Sequence, residues 1–158
     1  MFFDDPVAAF RNLHRATRAT GRLCFVCWAP LHENPHWSIA LAAVTRRLGP
    51  PEPKPPHAPG PLAFSDAKYV EEILRSAGFV DIGVSPQPTV LVGTSPEEEA
   101  EFLCTLGPAA AIMAEREPAT EVIQEIRAEL IGALRQFVHE DQMLIPASLF
   151  LVEARCAG

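Results

Sequence analysis

Three short spacings in this 158-residue chain hold residue types that could do chemistry. His32-Glu33-Asn34-Pro35-His36 has the letters of the H-E-x-x-H zinc hydrolase motif, in which two histidines one turn apart hold the metal and the glutamate acts on its water. Cys24 and Cys27 are spaced C-x-x-C, a metal or redox spacing. Asp4 and Asp5 form a carboxylate pair that could serve acid-base work. Each chemistry depends on the element beneath it.

The zinc reading needs a continuous helix. Pro35, inside the motif, would remove a helical hydrogen bond and clash one turn back, at about 3 kcal/mol, and Pro30 upstream reads as loop. A zinc hydrolase on His32 and His36 is therefore the least favoured function, and no metal is expected. The two cysteines lie inside Gly21 to Pro30, GRLCFVCWAP, a nearly continuous apolar run that reads as a strand covered on both faces. Residues three apart on a strand point to opposite sides. With Cys104 and Cys156 in apolar settings, the four cysteines read as small buried hydrophobes. Asp5 precedes Pro6 and reads as a helix cap, while Asp4 is open to either reading, capping or a place at a site. His14, His57 and His139 stand singly and read as solvated or capping residues.

Around these the elements follow in order. A helix spans Asp5 to Ala19, with Val7, Phe10 and Leu13 on its apolar face, and feeds the Gly21 strand. Another runs from Pro35 to about Leu48, with Trp37, Leu41, Val44 and Leu48 inward. Gly49 to Pro61 holds seven of the 16 prolines and reads as an extended surface connector. Ser65 caps a helix over Asp66 to Ala77, with the stripe Val70, Ile73, Leu74 and Ala77, stopped at Gly78. Val80 to Val84 reads as a strand, irregular or at an edge beyond Pro86 and Pro88, with a short strand possible at Thr89 to Val92. Ser95-Pro96-Glu97-Glu98 opens a helix to about Leu106. Gly107-Pro108 breaks it, and a shorter helix covers Ala109 to Glu115. The longest helix runs from Thr120 to about His139, with Ile123, Ile126, Leu130, Leu134 and Phe137 inward. Leu149 to Arg155 is the final strand.

The length suits one domain: residues 1–93 and 143–158 as sheet and flanking helices, 94–142 as a helical cap insertion. Thirteen basic against 20 acidic residues, a net charge of -7, argue against nucleic acid or an anionic membrane as partner. No apolar run approaches the ~18 residues of a membrane span, and the expectation is a cytoplasmic protein. Trp28, Pro30, His36 and Trp37 gather about the carboxyl end of the Gly21 strand, the edge where open α/β folds bind ligands. They could line an apolar substrate pocket or be core packing.

The segments MFFDDPVAAFRNLHRATRATGRLCFVCWAPLHENP, SDAKYVEEILRSAGFVDIGV and ASLFLVEARC resemble the middle and end of a class I S-adenosylmethionine-dependent methyltransferase of the ubiquinone/menaquinone-biosynthesis kind. The turn that such proteins usually write Pro-Gly-Gly is Ala19-Thr20-Gly21 here, and no Gly-x-Gly pair occurs in the sequence. The resemblance thus implies the C-terminal half of a Rossmann-like methyltransferase fold: an α/β structure with a small mixed sheet, flanking helices and a helical cap. It implies that Leu149 to Arg155 inserts antiparallel beside the Gly21 strand, with Val80 to Val84 on its far side. It implies S-adenosylmethionine as cofactor, with Phe2, Phe3 and Asp4 nearest to it, and a small, apolar methyl acceptor. The partner it implies is an N-terminal methyltransferase half, without which the chain is inactive. The alternative is a non-enzymatic homodimeric interaction or small-ligand-binding module derived from that fold.

Overall fold

The computed structural model of the protein describes residues 1–157. It is an α/β structure of six α-helices and four strands among the described residues, gathered into two compact units. Strands β2, Phe79–Gly93, and β4, Gln142–Cys156, contribute to both. The sheet order is β1-β4-β2, where β1 is Arg22–Trp28; β3, Val138–His139, pairs with β4 as well. The last long strand therefore lies between the first and second, antiparallel to β1, as the resemblance implied.

The first unit comprises Met1–Pro30, Lys54–Pro88 and the chain from Ser148 onward. Its helices are α1, Pro6–Ala16, and α3, Ala67–Ser76. Asp5 caps α1 by accepting from the Ala8 N–H at 2.8 Å. Helix α1 stops earlier than its sequence suggests, because Thr17 turns extended and its hydroxyl donates back to the Leu13 carbonyl. Its inner face is also rotated: Leu13 is 42% exposed, while His14, read as solvated, stands edge-on to the Phe79 ring at 4.9 Å with its Nε2 enclosed. Spacing decided this, since Val7, Phe10 and His14 follow the helical period more closely than a strict step of three. Helix α3 begins one residue late, on Asp66, whose carboxylate accepts from Lys68 and Tyr69. Ser65 instead donates to Leu62. The stripe Val70, Ile73, Leu74 and Ala77 is buried as expected, and Gly78, at φ 102°, ends the helix. Both helices share one core with Leu23, Phe25 and Cys27 of β1, Ile82 and Val84 of β2, and Phe150, Val152 and Ala154 of β4.

That core covers only one face of β1. Arg22, Cys24 and Val26 alternate outward, and Val26 is 57% exposed, so the run expected to be covered on both faces is covered on one. The two helices of this unit both pack on the inner side. Cys24 is accordingly exposed and Cys104 half-buried, which leaves Cys27 and Cys156 as the buried hydrophobes.

Strand β2 runs straight through Pro86 and Pro88. It is an edge strand, and residues two apart direct their backbone nitrogens to the same side. Both prolines can therefore face the free edge without costing a ladder bond.

The second unit comprises Leu31–Pro53 and Thr89–Ala147. Helix α2, Pro35–Leu48, matches its expected span, but its inner face is His36, Trp37, Ala40, Ala43 and Val44, with Leu41 and Leu48 at the margin. It packs with α4, Pro96–Thr105, α5, Pro108–Arg116, and α6, Thr120–Leu134. Ser95 caps α4 by accepting from Glu98 N–H. Arg46 and Arg47 of α2 meet Glu129 of α6, and Arg47 reaches Glu125 at 3.3 Å. Beyond Leu134 the chain tightens into a 3-10 turn and a hairpin, Val138 opposite Met143, that lengthens β4 seven residues upstream of Leu149. Among the described residues no helix is long and apolar enough to cross a membrane.

Candidate functional site

Two hydrogen-bonded pairs bracket the β1–β4 ladder. Cys156 N–H donates to the Gly21 carbonyl at 3.0 Å, and Ala29 N–H to the Ser148 carbonyl at 3.1 Å. In an antiparallel ladder bonded and non-bonded pairs alternate, which fixes every position between. Leu23/Ala154, Phe25/Val152 and Cys27/Phe150 are bonded pairs and face the core. Arg22/Arg155, Cys24/Glu153, Val26/Leu151 and Trp28/Leu149 are non-bonded pairs and share the outer face. Non-bonded pairs bring Cα atoms to about 4.5 Å, so these side chains are the closer set.

At one end of that face lies an open depression of about 230 Å³, lined by Arg22, Cys24, Asp81, Glu153 and Arg155. Asp81 reaches it from β2, where its φ of 51° is left-handed. Ile82 and Val84 nonetheless face the core after Phe79 has done so. An extra residue at Val80-Asp81 shifts the strand's phase, as a bulge does. At the other end Val26, Leu149 and Leu151 form an apolar strip. Among the described residues, no opposite charge lies within 4.0 Å of Arg22, Asp81, Glu153 or Arg155. Two guanidinium groups opposed across a close pair repel. The sequence carried a signal for this face, the alternation Glu153-Ala154-Arg155 in an otherwise apolar strand, and the expectation of a strand buried on both sides hid it.

The residues singled out from sequence are distributed as follows. Phe2 and Phe3 are 69% and 42% exposed, Phe3 with its edge toward Phe10 at 6.1 Å, and Asp4 is exposed beside them. They offer apolar surface and one carboxylate rather than an enclosed cradle, which a nucleoside cofactor needs. Trp28, opposite Leu149, and Pro30 are half-buried in the first unit. His36 and Trp37 belong to the second, both buried, with their rings edge to face at 5.5 Å. Burial pushes the His36 imidazole down to about 4, so it is neutral at neutral pH. His32 sits on a separate 3-10 turn, Leu31–Glu33, and is exposed. The break at Asn34 leaves the two histidines of the zinc pattern on different elements, one in solvent and one in the core. Cys27 donates to the Phe64 carbonyl at 3.5 Å, and burial raises its thiol to about 11.

No family model and no curated protein matches the sequence. Among solved structures the chain is similar to phosphoethanolamine N-methyltransferase 2 of Haemonchus contortus, solved with phosphomonomethylethanolamine and S-adenosylhomocysteine, at 15% identity and a TM-score of 0.41. It is also similar to a protein of Bacillus halodurans C-125 assigned as a methyltransferase, at 15% identity and a TM-score of 0.43. Each alignment covers 99% of this chain, which spans only 31% of the first protein and 65% of the second. At that level neither overlap bears on activity.

Proposed function

We propose that this chain is the substrate-side part of an S-adenosylmethionine-dependent methyltransferase of the ubiquinone/menaquinone-biosynthesis kind, acting on a small, apolar acceptor. The observation that carries the reading is the strand order β1-β4-β2, with the last long strand between the other two and antiparallel to β1. That is the arrangement the resemblance to such methyltransferases implies. In this reading Phe2, Phe3 and Asp4 form one open side of the cofactor's cradle, the rest of it coming from the N-terminal half, and Trp28 and Pro30 of the first unit border the acceptor. S-adenosylmethionine supplies an electrophilic methyl group when bound. What the protein must add is alignment and exclusion of water. The glycine-rich loop and the acidic residue with which such folds hold the cofactor come, in this reading, from an N-terminal half.

Calorimetric titration of the 158-residue chain with S-adenosylhomocysteine tests it. The expected result is no micromolar binding by the folded chain alone. Micromolar binding that survives Phe2→Ala and Asp4→Ala would overturn both the site and the division into halves.

A second reading, a non-enzymatic homodimeric module built on the same fold, is favoured by the uncovered outer face of β1 and β4.

A further inference from the structure

The outer face of the first unit's sheet combines three properties: exposed apolar side chains, four charges with no ion-pair partner among the described residues, and a depression too small and open for a ligand pocket, which typically needs ~300 Å³ or more. From these we infer that this face is an isologous docking surface for a second copy of the chain, sheet against sheet. The inference deepens the homodimeric reading and does not depend on the cofactor.

Charge identifies the occupant. The chain as a whole carries -7, yet this patch holds two arginines, Arg22 and Arg155, and two acids, Asp81 and Glu153. A uniformly acidic or basic partner would leave one of these pairs facing its own sign. A two-fold axis brings a patch against itself, so a patch of balanced sign can satisfy all four groups. The repulsion between Arg22 and Arg155 is relieved when a carboxylate from the other copy enters between them. The strip Val26, Leu149 and Leu151 then supplies the apolar contact, in the face-to-face packing of twisted sheets.

Size sets the strength. Three strands about 4.8 Å apart and seven residues at about 3.4 Å each give a face of roughly 300 Å² in projection. A standard interface buries about 800 Å² on each partner. The dimer is therefore a reversible one whose population follows concentration.

Sedimentation equilibrium of the whole chain over a concentration series tests this, with alkylation of Cys24 as a second readout that needs no substitution. Cys24 is exposed on the face and opposite Glu153, whereas the Cys27 thiol is buried. The expected result is a monomer–dimer equilibrium, with Cys24 alkylated more slowly as the dimer fills. Val26→Asp, at a position already exposed, weakens association by about tenfold or more and restores fast alkylation. Arg22→Glu/Arg155→Glu and Asp81→Lys/Glu153→Lys chains each remain monomeric alone and associate when mixed. A monomer at every concentration with constant alkylation of Cys24, or a Val26→Asp chain that dimerises like the parent, overturns the inference. Neither result alters the cofactor titration, so the two readings fail separately.

Discussion

Gly107 lies against the six-membered ring of Trp37 so closely that a Cβ added there would stand 2.9 Å from Cζ3, and its φ of 103° is one that side chains rarely adopt. The glycine that breaks α4 from α5 thus also seats the indole of α2 in the second unit's core. Gly107→Ala meets both penalties, a left-handed backbone at about 1–2 kcal/mol and overpacking at about 1–3. A loss of about 2–5 kcal/mol in urea unfolding is expected. Gly132, inside α6 with nothing within 4 Å of an added Cβ, is the control: Gly132→Ala is expected to gain about 0.5–1 kcal/mol.

His36 makes stability depend on acid. Its folded value of about 4 lies below the ordinary value near 6.5, because burial disfavours the charged ring. The unfolded chain therefore binds the proton first. The contribution is fully present above about pH 6.5 and is lost as pH falls toward 4, up to about 3 kcal/mol. Glu129, whose carboxyl Arg47 holds below its usual range, adds its own loss only at lower pH. Comparing urea unfolding of the parent and His36→Phe at several values between pH 7 and 4 isolates the effect. The parent is expected to weaken by about 3 kcal/mol more than the variant across that window, and parallel profiles would rule out a buried neutral imidazole.

Local chemistry was legible wherever one residue type had one duty. Asp5-Pro6, Pro35, Gly78, Ser95-Pro96 and Gly107-Pro108 mark their helix ends in sequence, and all are found there. The strand order was legible only through resemblance, since apolar periodicity does not say which strands are neighbours. What stayed hidden depends on tertiary partners. The apolar run of β1 could not reveal that helices cover one side alone. The hairpin at Glu140-Asp141 lacks the usual Asn-Gly signal and places Glu140 at φ 53°, so the apolar period predicts α6 to about His139, five residues past its end at Leu134. Pro86 and Pro88 marked an edge correctly, but their spacing of two lets a strand pass through them. At the candidate site Arg22, Asp81, Glu153 and Arg155 come from three strands, and no spacing along the chain brings such residues together.

Asp81 separates backbone conformation from side-chain preference. It sits within a 15-residue strand, where valine would ordinarily be favoured over aspartate. Its φ of 51° reverses that order. A β-branched residue pays the full left-handed cost of about 1–2 kcal/mol, aspartate pays less, and glycine pays nearly none but gives up about 0.5–1 kcal/mol in chain entropy. Asp81→Val is therefore expected to lose about 1 kcal/mol, while Asp81→Gly, whose two effects oppose, changes stability by less than about 1 kcal/mol. Thermal and urea unfolding of the two variants at low protein concentration, where association does not contribute, give the comparison. A valine variant as stable as the parent would mean that the strand runs through this position without the bulge, and that Asp81 does not turn toward Arg22 and Arg155.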